Sequence, residues 1–159
     1  MAATVRDETL KIVSDGLQDL RKRIIANHEA ARQVASGRTR DSLKVEQTES
    51  GGILWGRRAF GTLESGRRPG KVPKGFYNII LQWVEDKGIQ VEKPKSFAYL
   101  VARKIANEGT ELYRSGQKKD IYSTEVDKTI QEISSCVLGV FDTEVEHINL
   151  NFSHENSNI

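Results

Sequence analysis

Ser42-Leu43-Lys44-Val45-Glu46-Gln47-Thr48, followed by Ser50-Gly51-Gly52 and Ile53-Leu54-Trp55, is a stretch in which the side-chain character alternates with a period of two. Alternation puts Leu43, Val45 and Gln47 on one side of a strand and Lys44, Glu46 and Thr48 on the other. Ser50, Gly51 and Gly52 supply a turn, so residues 42–55 predict a β-hairpin. On both sides of it the apolar residues recur at three and four instead. Strand and helix signals in one short chain predict an α+β fold: a small antiparallel sheet packed by a long N-terminal helix and three further helices.

Upstream, Leu10, Val13, Leu17, Leu20, Ile24, Ala31 and Val34 form one stripe, with Asn27 as its polar member. Their spacing predicts a helix over about residues 5–35, ended by Gly37. Two uses of that stripe are open. It covers its own sheet, or it forms an inter-subunit seam in which Leu10, Val13, Leu17, Leu20, Ile24 and Asn27 meet a neighbouring copy. Downstream, Ala59–Leu63 reads as a strand end and Glu64–Lys74 as a long basic loop. Phe76, Ile79, Ile80, Trp83 and Val84 mark a helix capped by Gly88. Phe97, Leu100, Val101 and Ile105 mark another after Pro94, and Ala98, Ala102 and Ala106 give it a small-residue face open to another backbone. Gly109 stops it. Val126, Ile130, Ile133 and Val137 mark the buried face of a fourth helix that starts at Ser123. Glu144–Phe152 alternates, with Ile148, Leu150 and Phe152 on one side, and predicts a strand returning to the hairpin. One domain over residues 1–152 and a polar, frayed tail over 153–159 complete the expected organisation.

The chain has 159 residues, and its formal charge of +2 is too balanced for a protein that coats nucleic acid. No apolar run approaches the roughly 18–20 residues of a membrane span, and Met1-Ala2-Ala3-Thr4 leads into charges rather than a secretory signal. With Cys136 as the one cysteine there is neither an internal disulfide nor a cysteine-based zinc cluster to expect. The charge is segregated, however. Asp142, Glu144, Glu146 and Glu155 give residues 142–159 a net −4 with no Lys or Arg, whereas 57–74 holds Arg57, Arg58, Arg67, Arg68, Lys71 and Lys74 against Glu64 alone. Segments of opposite sign attract copies of the chain or a partner of complementary charge.

Motifs for catalysis are missing. His28, His147 and His154 have no metal-ligand spacing, and His28 falls beside the helix stripe, where a half-buried histidine with its partners is the ordinary case. Gly66-Arg67-Arg68-Pro69-Gly70-Lys71-Val72 looks superficially like a phosphate loop. It has three residues between the glycines instead of four, Val72 where Ser or Thr would hold magnesium, and Pro69 in place of a backbone donor. No serine sits in a Gly-x-Ser-x-Gly elbow, and Cys136 near an apolar helix face acts as a small hydrophobe. The basic loop is the feature left, and it suits docking on an acidic protein surface, contact with DNA, or solubility alone.

The order of the pieces is informative. Ala35-Ser36-Gly37-Arg38-Thr39-Arg40-Asp41-Ser42 precedes Leu54-Trp55-Gly56-Arg57 and Phe60-Gly61-Thr62-Leu63-Glu64-Ser65-Gly66-Arg67-Arg68-Pro69-Gly70. Ile79-Ile80-Leu81-Gln82-Trp83-Val84-Glu85-Asp86-Lys87-Gly88-Ile89, Ala102-Arg103-Lys104-Ile105-Ala106-Asn107-Glu108-Gly109-Thr110 and Lys119-Asp120-Ile121-Tyr122-Ser123 follow. Over about residues 5–150 this succession resembles the tail-completion or neck proteins of tailed bacteriophages, also described as tail-component or virion morphogenesis proteins. The resemblance implies a structural virion protein rather than an enzyme, without cofactor, catalytic residue or bound metal. It implies a ring-forming head–tail connector subunit, made in the bacterial host cytoplasm and located in the neck or tail of the virion. Its partners would be copies of itself and portal, adaptor or tail proteins, with non-specific contact to packaged DNA and none to a membrane. Arg57, Arg58, Phe60, Arg67, Arg68, Lys71 and Lys74 would then form the docking loop. The alternative is a small DNA-binding accessory protein that uses the same loop, 57–74.

Overall fold

The computed structural model describes residues 4–155. The fold is α+β, as the two periodicities predict: α1 (Val5–Ala30), β1 (Lys44–Thr48), β2 (Gly51–Trp55), α2 (Phe76–Asp86), α3 (Pro94–Glu108), the single-turn α4 (Glu111–Arg114) and α5 (Ser123–Glu155). Short 3₁₀ turns at Arg40–Ser42 and Arg58–Thr62 flank the hairpin. Residues gather into two compact units, each built from separated stretches of chain. Of the described residues, one holds 4–24, Lys44–Trp55 and Ser123–Glu155; the other holds Ile25–Leu43 and Gly56–Tyr122.

In the first unit α1 begins on a capping box. The Thr4 hydroxyl accepts from the Asp7 amide at 3.2 Å, and the Asp7 carboxylate accepts from the Thr4 amide at 3.3 Å, so two of the orphan donors at the helix start are satisfied reciprocally. The Thr4 hydroxyl also donates to the Asp7 carboxylate at 2.7 Å, and this bond, ahead of the one from the Thr4 amide, holds the Asp7 carboxyl below its ordinary range. Glycines set how closely the elements pack. A Cβ on Gly16 would lie 2.6 Å from Ile133 of α5, and one on Gly52 would lie 2.7 Å from Leu17. In both the helix–helix and the helix–hairpin contact, side-chain ends would have to shift to admit an alanine.

The hairpin pairs Val45 with Leu54 and Thr48 with Gly51, so its turn is Glu49-Ser50. Gly51 and Gly52 belong to the strand rather than to the turn expected of them, and Leu17 packs over Gly52. Arg6 reaches the turn and donates to the Glu49 carbonyl at 2.8 Å.

Arg23 ties the two helices of this unit together. Its guanidinium donates to Thr129 Oγ1 (3.0 Å) and pairs with Asp19 (3.0 Å), Glu125 (3.1 Å) and Glu132 (2.8 Å). The bond to Glu132, ahead of the other carboxylates, pushes its pKa up. Thr129 is buried and Ile130 is 58% exposed. The inward face of α5 thus runs through Thr129, one position from the residue the apolar pattern selects, because the threonine hydroxyl completes the Arg23 network. Arg23→Met keeps the aliphatic stem and deletes the charge. It is expected to lower stability by about 1–2 kcal/mol in urea unfolding, since hydrogen bonds to charged groups contribute about that much after screening.

The second unit is built on α2 and α3. Ile80, Ala98 and Ala102 form its buried cluster, with Phe76, Tyr77, Leu81, Val101 and Ile105 packed around it. The expected small-residue face of α3 is used: Ala98 is fully buried where α2 crosses, and the Ala106 carbonyl accepts from the Gly70 amide at 2.8 Å. Gly88, at φ +64, caps α2 as expected, with Ile89 N–H bonded to the Val84 carbonyl at 3.0 Å.

Further expectations are corrected. The first helix ends at Ala30, not at Gly37: Arg32 takes the left-handed conformation (φ 54), with Arg32 N–H on the Glu29 carbonyl (2.9 Å) and Gln33 N–H on that of His28 (3.4 Å). This is a Schellman turn without glycine. Lys119 Nζ (3.2 Å, to Ala31) and Lys87 Nζ (2.8 Å, to Arg32) donate to carbonyls just beyond the helix end, where cations suit the helix dipole.

The strand end expected at Ala59–Leu63 is a 3₁₀ turn. The returning strand at Glu144–Phe152 is helix, part of α5. Phe141, Val145, Ile148 and Phe152 also lie at i, i+4, i+7 and i+11, and no turn signal separates them from the start of the helix. Of the polar tail at 153–159, residues 153–155 belong to α5 and the remainder lies outside the described residues. Finally, Cys136 is exposed rather than part of an apolar face.

Candidate functional site

The basic segment 57–74 is not a loose arm. Gly66, at φ +74, brings the chain against α4, where a Cβ would lie 2.6 Å from the Tyr113 backbone nitrogen. Beyond it the backbone latches twice to Thr110: Arg67 N–H donates to Thr110 Oγ1, and Thr110 N–H donates to the Arg67 carbonyl, both at 2.9 Å. Glu64 anchors the other end by accepting from the amides of Ile121 (3.1 Å) and Tyr122, while its own carbonyl accepts from Lys119 N–H at 2.9 Å. Neither Glu64 nor Thr110 carries a sequence signal for this role. Both are polar residues between turns, and their partners lie 43 to 58 positions away.

This framework sorts the seven candidate residues into two kinds. Arg67 faces inward: its guanidinium lies 5.5 Å over the Phe76 ring and donates to the Lys71 carbonyl at 2.7 Å. It braces the loop and is not available to a partner. Phe60 is half-buried with its ring 5.7 Å from that of His28. Arg57, Arg58, Arg68, Lys71 and Lys74 are exposed and form no ion pair among the described residues. These five cations are held on a pinned backbone, so a partner meets them with little conformational entropy left to lose.

The α1 stripe is used within the chain. Leu20 and Ile24 are buried, Leu10, Val13 and Leu17 are half-buried, and Asn27 donates to the Ile121 carbonyl at 3.3 Å. Of the two uses left open by the sequence, covering the chain's own elements is the one observed for this face.

Beside α2 lies a cleft of about 520 Å³ whose lining includes Gln33, Arg38, Arg57, Ile79, Trp83 and Asp86. Arg38 pairs with Asp86 at 3.4 Å; Ile79 and Trp83 are 53% and 37% exposed. The cleft thus combines an apolar wall with guanidinium groups. His28 borders it too, yet is 2% exposed, with neither ring nitrogen hydrogen-bonded. Burial is the main cause of its lowered pKa, with Arg40 and Lys87 adding to it against Glu29 and the Gln33 backbone. The half-buried histidine with its partners expected here is instead enclosed.

Among the described residues no group of three His, Cys, Asp or Glu side chains is placed to hold a metal ion, and no helix is long and apolar enough to cross a membrane. No protein-family profile, no curated protein and no solved structure matches this chain.

Proposed function

We propose that this chain is a structural subunit of a tailed-phage virion, a neck or tail-completion protein that works by docking on neighbouring proteins rather than by catalysis. The observation that carries the reading is the pinned cationic segment: five exposed, unpaired cations on a backbone latched to Thr110 by Arg67 and to Ile121 and Tyr122 by Glu64. A surface loop tied down this firmly presents its side chains in one arrangement, which suits a repeated protein–protein contact. Arginine at positions 57, 58 and 68 adds planar donors that match carboxylates in pairs. The order of sequence pieces that resembles the neck and tail-completion proteins supplies the virion context.

The reading is tested by Arg68→Gln, Lys71→Gln and Lys74→Gln together, leaving Arg67 in place as the brace. The variant is expected to unfold within about 0.5 kcal/mol of the parent, as exposed substitutions do. In the phage that encodes it, full heads and tails should accumulate unjoined. Normal yields of infectious particles would refute the docking role. If instead the parent shifts duplex DNA in a gel and the variant does not, with affinity falling steeply as salt rises, the cations serve phosphates and the accessory DNA-binding reading replaces this one.

A further inference from the structure

We infer that the chain binds a second copy of itself head to tail, the acidic ridge near the end of α5 seating in the arginine-bearing cleft beside α2. The inference rests on reading the chain as an assembly subunit and names the partner. Leu138, Phe141, Val145 and Ile148 follow one another at intervals of three, four and three, which aligns them along one stripe of α5. They are 62%, 50%, 55% and 55% exposed. Single exposed apolar residues are ordinary, but four large ones in a line mark an interaction face. Asp142 and Glu144 flank the line and Glu146 follows, all exposed and free of ion pairs among the described residues.

The cleft offers the complement of each feature. Ile79 and Trp83 give it apolar contact area, and Trp is a residue on which binding energy concentrates. Arg57 lines it without an ion pair, so one guanidinium of the cleft is available to the carboxylates of the ridge, and Arg58, next in sequence, is exposed and free of ion pairs as well. Duplex DNA fits the ridge badly, because its carboxylates repel phosphates and its apolar line has nothing to meet there. A second copy fits both surfaces at once and is present at the chain's own concentration. Two different patches that bind each other are a heterologous contact, which propagates into a ring or a filament.

Sedimentation equilibrium on the full chain is the test, with charge reversal in both halves. The parent is expected to show a mass that rises with concentration and falls back at high salt. Arg57→Glu with Arg58→Glu, and separately Glu144→Lys with Glu146→Lys, should each leave a folded chain that associates about tenfold or more weakly. An equal mixture of the two variants should reassemble, because each contact in an alternating assembly again joins opposite charges. Phe141→Asp should disperse the parent without a rescuing partner. A parent that stays monomeric throughout, variants that associate undiminished, or a mixture that fails to recover would each overturn the contact. A chain present in virions yet monomeric in solution would overturn this inference alone; self-association by a chain absent from virions would overturn only the functional reading.

Discussion

Gly109→Ala is expected to cost about 3–5 kcal/mol and to release the basic segment from its anchor. Gly109 ends α3 at φ 83 and ψ 179, a backbone region that side chains with a Cβ essentially do not enter. That strain alone amounts to about 1–3 kcal/mol. Space is the second obstacle: the new Cβ would lie 2.6 Å from the Arg67 carbonyl oxygen, 3.1 Å from Pro69 and 3.0 Å from the Tyr113 ring. A carbonyl oxygen on a latched backbone cannot swing aside as a leucine tip does. Relieving the overlap means moving the Arg67 carbonyl, which accepts from Thr110 N–H. Overpacking of this kind typically adds about 1–3 kcal/mol.

Gly88→Ala separates the two contributions. Gly88 also has a positive φ, +64, but open space around its Cβ position, so only the conformational part, about 1 kcal/mol, should appear. Urea unfolding of both variants measures the difference, and amide exchange at Thr110 and Gly70 reports the latch. A Gly109 variant no less stable than the Gly88 variant, with slow exchange at Thr110, would contradict the account.

Much of this architecture was legible because the relevant signals are local. The period-two run placed the hairpin, Pro94 and Gly109 bracketed α3, and Gly88 marked the end of α2. Two of the failures share a cause as well: each turned on a partner distant in sequence. Arg32 adopts a conformation usually left to glycine at a helix end where Lys87 and Lys119 satisfy nearby carbonyls, and both donors lie more than fifty residues downstream. Thr129 displaced Ile130 from the inner face of α5 because Arg23, 106 residues earlier, needs its hydroxyl. Glu144–Phe152 fits both periods over nine residues, and only continuity with a helix already under way decides for the longer one.

The candidate site was legible in composition but not in role. Clustered cations at 57–74 are visible at once, whereas the division between Arg67 as brace and Arg68 as exposed charge depends on where Phe76 and Thr110 stand. The same holds for Cys136: its place beside apolar residues in sequence says nothing about which side of α5 meets the rest of the unit. Sequence spacing reports the face of a helix, and tertiary packing then chooses among neighbouring faces that differ by one residue.

Acid sensitivity carried by His28 is the other large effect expected. The imidazole is enclosed, and desolvation dominates the lowering of its pKa below the ordinary 6.5 against the opposing Gln33 backbone. In the unfolded chain the same group titrates near its ordinary value. Well above pH 6.5 neither state is protonated and the histidine costs nothing through linkage. As pH falls below that value the unfolded state takes up the proton first, so stability declines, at a limiting slope of about 1.4 kcal/mol per pH unit, until the folded-state pKa is reached.

Carboxylates titrating at lower pH would add their own loss, so the comparison needs a partner variant. His28→Phe retains a ring against Phe60 and removes the titrating group. The stability difference between variant and parent should level off well above pH 6.5 and swing toward the variant over the interval just below it. Parallel curves over that interval, from denaturant unfolding at matched ionic strength, would mean that His28 gains a proton as readily folded as unfolded, contrary to the enclosure that Phe60 and the end of α1 provide.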